Sequence, residues 1–221
     1  MKADFWHQRW QNNEIGFHRD EVNPNLLAYF DVLGLSQGDR VLVPLCGKSK
    51  DLLWLAEQGL EVIGVELSDT AVQAFFDENE IDAKKESVGL LERWSAGNIT
   101  IYCGDFFQFS AQHCEGVKAV YDRAALVALP SSMRAEYCWH LIDIVPEPLS
   151  LLLISFDYDQ SAMDGPPFSV PASEVRDHFA EVVPIRPLAS HDILADETHF
   201  QNRGLQQMLE QVYFIGYPRR G

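Results

Sequence analysis

One stretch near the start of the chain, residues 41–66, constrains the fold more than any other. An apolar run at 41–46 is followed by a polar turn, and residues 51–58 then place leucines at helical spacing. Gly59 ends that helix, and residues 61–66 return as a second apolar run that finishes on an acid. This order predicts the nucleotide-binding half of a doubly wound sheet. The alternative is an ordinary βαβ unit without a ligand.

The remainder of the chain predicts alternating strands and helices. Further strands are expected at residues 99–103, 117–121, 149–156, 182–187 and 211–217. Helices are expected at 3–12, from Asn23-Pro24 onward, and at 69–79, 131–144, 172–179 and 204–209, with a loop at 81–97. The sequence therefore predicts an α/β, Rossmann-like, doubly wound and mostly parallel sheet of seven strands, with the last strand antiparallel.

The N-terminal residues 1–38 are predicted to supply a helical lid and the first helix of a single domain that spans 1–221. Phe5, Trp6 and Trp10 lie near one face if this segment is helical. Such an aromatic arm either caps the core or closes over a ligand.

Composition and charge restrict the partners. The chain has 17 Lys and Arg against 33 Asp and Glu, a net charge of −16, so nucleic acid is not expected as a partner. No stretch approaches the length of a membrane span, and the N-terminus lacks the apolar core of a signal peptide. We expect a cytoplasmic monomer that binds no membrane. Its four cysteines have no metal-binding spacing, so no metal site is predicted.

Polar and aromatic side chains follow several of the predicted strands. Glu66 ends the second strand, Asp105 and Phe106 follow the third, and Arg123 follows the fourth. Ligands of such sheets bind at the carboxyl ends of the strands. Glu66 offers two acceptor oxygens to a ribose, while Asp105 and Phe106 suit the edge and face of an adenine. The alternatives are structural: a solvated carboxylate, a turn-forming Asp beside a core Phe, and a salt bridge of Arg123 with Asp122 or another carboxylate.

The turn after the first strand argues against a dinucleotide. Residues 44–49 contain one glycine, Gly47, whereas pyrophosphate binding needs several. A phosphate loop would need its upstream glycine at position 42, which is Leu42. A ligand with ribose and adenine but no phosphate fits better, and S-adenosylmethionine is such a ligand.

Four stretches resemble the bacterial form of the thiopurine S-methyltransferase family. They are FWHQRW followed by GFH, VPLCGKSKDLLWLAEQG, VIGVELS and YDRAALVALP. The first and last are quite specific to that family. The resemblance implies a class I methyltransferase that uses S-adenosyl-L-methionine and methylates the sulfur of an aromatic or heterocyclic thiol such as a thiopurine.

The resemblance also implies roles for individual residues. The residues that it assigns to the cofactor are Trp10, Leu45, Glu66, Asp105, Phe106 and Arg123. Phe17 matches a substrate-side aromatic residue, and Arg123 also serves the acceptor. Where the family often has a further arginine near the acceptor, this chain has His199, with Arg203 nearby; which of them meets the acceptor stays open.

The expected mechanism is an in-line displacement by a sulfur that is already largely ionised. Such an acceptor needs little help from a general base, and Arg123 would stabilise it. The alternatives are a methyltransferase for another small acceptor (a halide, an inorganic selenium or tellurium anion, another thiol), a nicotinamide oxidoreductase, and a cofactor-binding protein without turnover. The missing glycines disfavour the oxidoreductase.

Overall fold

A single mixed β-sheet forms the centre of the computed structural model, which describes residues 3–217. Within that range the strands are β1 Arg40–Pro44, β2 Glu61–Glu66, β3 Lys84–Val88, β4 Leu91–Ala96, β5 Ile99–Cys103, β6 Val117–Arg123, β7 Ser150–Asp157, β8 Ile185–Asp192 and β9 Leu209–Gly216. Their order is β3-β4-β5-β2-β1-β6-β7-β9-β8. The five central strands, β5 to β7 in this order, are parallel, and the pairings outside them are antiparallel.

Helices cover both faces of the sheet. They are α1 Ala3–Gln11, α2 Pro24–Tyr29, α3 Asp51–Glu57, α4 Asp69–Glu78, α5 Ser131–Ile144, α6 Ala172–Phe179 and α7 Thr198–Gln201. Successive side chains of a strand point to opposite faces. Accordingly, Val120 belongs to the core cluster that contains side chains of α5 and α6, while its neighbour Tyr121 belongs to the cluster that contains side chains of α2, α3 and α4. The predicted layering of helices on both faces of the sheet is confirmed. The sheet itself is mixed rather than mostly parallel, because four of the pairings within residues 3–217 are parallel and four are antiparallel.

Local signals explain where several helices begin. The Asn23 side chain accepts hydrogen bonds from the backbone N–H groups of Asn25 and Leu26, with Pro24 in the first turn of α2. Ser68 caps α4 in the same way through Ala71. None of the helices between residues 3 and 217 has the length and apolar character needed to cross a membrane.

The predicted number of seven strands is wrong, because residues 3–217 contribute nine to the sheet. Residues 81–97 form a hairpin rather than a loop: β3 pairs with β4 around Gly89, whose φ of 63° lies in the left-handed region. This hairpin lies at one edge of the sheet, where charged side chains face solvent. Only Leu91 and Trp94 of its two strands are buried, so the alternation that indicates a strand is weak.

The C-terminal elements differ from their predicted limits. The strand expected at 182–187 is β8, Ile185–Asp192, and the helix expected at 204–209 lies earlier, at Thr198–Gln201. The last strand, β9, is antiparallel as predicted. It lies between β7 and β8.

Candidate active site

The carboxyl ends of β1, β2 and β6 border a cavity of about 400 Å³. The N-terminal segment and the loop around α7 also contribute to its walls. The predicted site residues that line it are Trp10, Phe17, Leu45, Glu66 and Arg123. These residues come from separate parts of the chain, and the sheet brings them together because parallel strands end at one edge.

The turn between β1 and α3 has an unusual backbone. Leu45 and Gly47 adopt φ angles of 47° and 54°, in the left-handed region. A Cβ atom on Gly47 would lie 3.1 Å from Cζ2 of Trp10, so glycine lets that indole pack on the turn. Leu45 carries a Cβ atom, so its left-handed backbone conformation costs on the order of 1 kcal/mol. Strain of this kind is concentrated at functional sites.

Glu66 is buried and fixed in orientation. Its Oε2 accepts a hydrogen bond from the backbone N–H of Gly47 at 2.9 Å, and its Oε1 accepts one from Ser68 at 2.8 Å. Burial raises the pKa of Glu66, and these backbone donors offset part of that rise. Each carboxylate oxygen carries two acceptor positions, so both can accept a further hydrogen bond from a ligand.

Asp105 and Phe106 do not line the cavity. Asp105 is exposed and accepts a hydrogen bond from the backbone N–H of Phe107 at 3.0 Å. Phe106 is buried, and its ring centre lies 5.2 Å from that of Tyr137. Both residues nevertheless follow β5, which pairs with β2 beside Glu66. Their predicted contact with adenine stays a prediction.

Arg123 ends β6 and lines the cavity. No residue among 3–217 forms an ion pair or a hydrogen bond with the guanidinium group of Arg123. The alternative of a salt bridge with Asp122 is wrong, since Asp122 lies on the other face and accepts a hydrogen bond from Tyr137 Oη at 2.7 Å. Ala124 follows with a φ of 62°, a second left-handed residue beside the cavity.

Three aromatic side chains of the N-terminal segment form the roof of the cavity. The ring of Phe17 contacts Trp10 and Trp6 edge-to-face, with centroid distances of 5.5 and 5.6 Å. The predicted helix is present as α1, and it carries both tryptophans. An aromatic cover of this kind excludes water from a site beneath it.

Sequence reasoning missed several residues of the cavity wall, among them Arg19, Asp51, Tyr121 and Glu197. Arg19 forms an ion pair with Glu197, which joins the N-terminal segment to the loop before α7. Asp51 and Tyr121 are hydrogen-bonded to each other. The sequence holds no local signal for either contact, because the partners are far apart in the chain. His199 and Arg203 both line the cavity as well, so the geometry does not choose between them.

Comparison with known proteins assigns the family. The family model for thiopurine S-methyltransferase matches residues 1–217. The chain belongs to the thiopurine S-methyltransferase family. Among its relatives, a thiopurine S-methyltransferase of Pseudomonas paraeruginosa is 49% identical over 97% of this chain and 99% of that protein. One from Nitrosospira multiformis is 46% identical over 97% of this chain and 98% of that protein.

Solved structures agree on the fold of this family member. A Burkholderia thailandensis 1,6-didemethyltoxoflavin-N1-methyltransferase, solved with bound 1,6-didemethyltoxoflavin and S-adenosylhomocysteine, matches with a TM-score of 0.63. It is 13% identical and covers 97% of this chain and 87% of that one. Family membership confirms the predicted enzyme class, a methyltransferase, and the predicted cofactor, S-adenosyl-L-methionine.

Proposed function

We propose that this methyltransferase transfers the methyl group of S-adenosyl-L-methionine to the sulfur of an aromatic or heterocyclic thiol such as a thiopurine. The observation that carries the proposal is Arg123, a guanidinium without an ion-pair partner among residues 3–217, in a cavity with aromatic walls. Phe17 and Phe156 supply flat apolar surfaces there. An aromatic thiolate uses both features, whereas an inorganic anion would use only the charge.

The residues of the cavity fit the cofactor. When bound, S-adenosyl-L-methionine supplies an electrophilic methyl group on its sulfonium. Glu66 keeps free acceptor positions for the two hydroxyls of a ribose. Trp10 covers the turn that contains Leu45 and Gly47, where we place the methionine part of the cofactor. We place the adenine towards the end of β5, next to Asp105 and Phe106.

Positioning and charge are the main contributions of the chain to the displacement. A guanidinium close to the acceptor sulfur favours its ionised form, because an opposite charge lowers the pKa of a thiol. Its five N–H donors suffice for both the sulfur and a carboxylate of the cofactor. The lid holds sulfur and methyl group in line and close, and it excludes water. His18, in the lid, is not needed as a base; burial and the nearby Lys48 lower its pKa.

We further propose that residues 1–38 act as lid and first helix of one domain, and that the enzyme is a cytoplasmic monomer. The four cysteines, Cys46, Cys103, Cys114 and Cys138, are all free, which supports a reducing compartment. The proposed partner of the enzyme is a small-molecule thiol substrate, with neither nucleic acid nor membrane.

Replacing Glu66 by alanine should weaken binding of S-adenosyl-L-methionine by ~1–3 kcal/mol, because a buried acceptor for the ribose is lost. Titration calorimetry measures the change. Glu61, which lies at the exposed opposite end of the same strand, provides the matched control, and Glu61→Ala should leave the affinity unchanged. An unaltered affinity in Glu66→Ala would show that the ribose binds elsewhere.

A comparison of acceptors tests the proposed reaction. The purified chain with S-adenosyl-L-methionine should methylate 6-mercaptopurine but not hypoxanthine, which carries oxygen in place of sulfur. Iodide and selenite, assayed at the same concentration, should react more slowly because they make no use of the aromatic walls. Faster turnover of either inorganic anion than of every aromatic thiol would refute the proposed acceptor class.

A further inference from the structure

We propose that the buried pair Asp51–Tyr121 binds the α-ammonium group of the cofactor's methionine part. Both side chains line the cavity, and each has a relative exposure of only 1%. The inference rests on the cofactor occupying this cavity, and it does not depend on the identity of the acceptor.

Asp51 is a buried carboxylate without a cation. Its Oδ1 accepts a hydrogen bond from the backbone N–H of Asn23 at 2.8 Å, and its Oδ2 accepts one from Tyr121 Oη at 3.0 Å. Within the described range 3–217, no Lys, Arg or His lies at ion-pair distance from it. Burying an ionised carboxylate destabilises the folded protein unless a positive charge pairs with it.

The two lysines that precede Asp51 are occupied elsewhere. Lys48 Nζ forms an ion pair with Glu78 at 2.7 Å, and Lys50 Nζ donates a hydrogen bond to Asn79 at 2.6 Å. Both interactions direct these side chains to the end of α4. Neither lysine forms an ion pair with Asp51, so a cationic ligand in the cavity would supply the positive charge that this carboxylate lacks.

The hydroxyl oxygen of Tyr121 can accept a hydrogen bond from a ligand in the cavity. Its single hydroxyl proton is used on Asp51, so its remaining lone pairs can serve a donor in the cavity. Burial and the neighbouring Asp51 raise the pKa of Tyr121 well above its ordinary value, which keeps the hydroxyl protonated. An ammonium group has three N–H donors and no acceptor, and it is the complement of this pair.

The α-carboxylate of the same methionine part also has a partner nearby. Arg123 follows Tyr121 by two positions in β6 and therefore lies on the same face of the sheet. The cavity wall thus offers a carboxylate and a guanidinium, each without a counter-ion among residues 3–217. This arrangement matches the zwitterionic head of an α-amino acid, which the methionine part of the cofactor provides.

Titration calorimetry without an acceptor separates this role from others. The ligands are S-adenosyl-L-methionine, S-adenosylhomocysteine and 5′-methylthioadenosine, which keeps the adenosine and the sulfur but lacks the amino-acid head. Asp51→Asn should weaken the binding of S-adenosyl-L-methionine and of S-adenosylhomocysteine by the same factor, about 10–100-fold, as expected for loss of a charged partner. Binding of 5′-methylthioadenosine should stay within about twofold. Glu66→Ala serves as the matched control and should weaken all three.

Three results would overturn the proposal. Unchanged affinities in Asp51→Asn would exclude a contact with the ammonium. A selective loss for S-adenosyl-L-methionine would assign Asp51 to the sulfonium, and an equal loss for all three ligands would indicate a structural role. If Asp51→Asn does not fold, Tyr121→Phe provides the same test, with a loss of about 3–10-fold for the two ligands that carry the amino-acid head.

Discussion

Replacing Arg123 by methionine should lower kcat/KM for 6-mercaptopurine by about 10²–10³-fold, the usual cost of removing a donor to the reacting charge. Methionine keeps much of the length and apolar contact of the side chain but removes the cation that favours the ionised sulfur. The loss should be larger for acceptor thiols with a higher pKa, since these depend more on Arg123 for ionisation. Steady-state kinetics at saturating cofactor, over a range of pH, provide the measurement. The acidic limb of the profile should move to higher pH in the variant.

Two further variants define the specificity of this effect. Arg123→Lys keeps a charge but loses the planar fork, so its activity should lie between those of the wild type and Arg123→Met. Arg186 lies on β8 outside the cavity, and Arg186→Met should leave kcat/KM unchanged. If Arg123→Met retains kcat/KM within about threefold, another cation such as Arg203 holds the acceptor and our assignment is wrong.

The central part of the fold was predictable because several local signals agree there. In residues 40–66 the apolar runs, the turn and the helix-ending glycine all indicate the same unit, and β1, α3 and β2 follow them closely. The strand ends then locate the site, since parallel strands finish at one edge of the sheet. This rule alone places Glu66 and Arg123 at a shared cavity.

The parts that escaped prediction depend on contacts that are distant in sequence. The β3–β4 hairpin is an exposed edge element, and its charged residues hide the alternation of a strand. Asp51 was visible only as the first residue of a helix. Its burial arises from hydrogen bonds to Asn23 and Tyr121, which are 28 and 70 residues away. No window of local sequence carries that information.

As the pH rises from about 4 to 7, the wild-type protein should lose stability relative to the Asp122→Asn variant. Burial raises the pKa of the Asp122 carboxyl from 3.8 to about 6, although Tyr137 and backbone N–H groups favour the ionised form. Between these values the folded state keeps a proton that the unfolded state has released, so stability falls with increasing pH. At about 1.4 kcal/mol per pKa unit, the loss amounts to about 3 kcal/mol and is complete above pH 6. Urea unfolding of both proteins at several pH values measures it.

Tyr137→Phe provides the opposite perturbation of the same carboxyl. Its Oη donates a hydrogen bond to Asp122 at 2.7 Å, and loss of that donor removes stabilisation of the ionised form. The pKa of Asp122 should rise further, so the pH range over which this variant loses stability should extend above pH 6. A constant difference in unfolding free energy between wild type and Asp122→Asn across pH 4–7 would contradict the argument. It would mean that Asp122 has the same pKa in the folded and unfolded chains, despite its burial beneath α5.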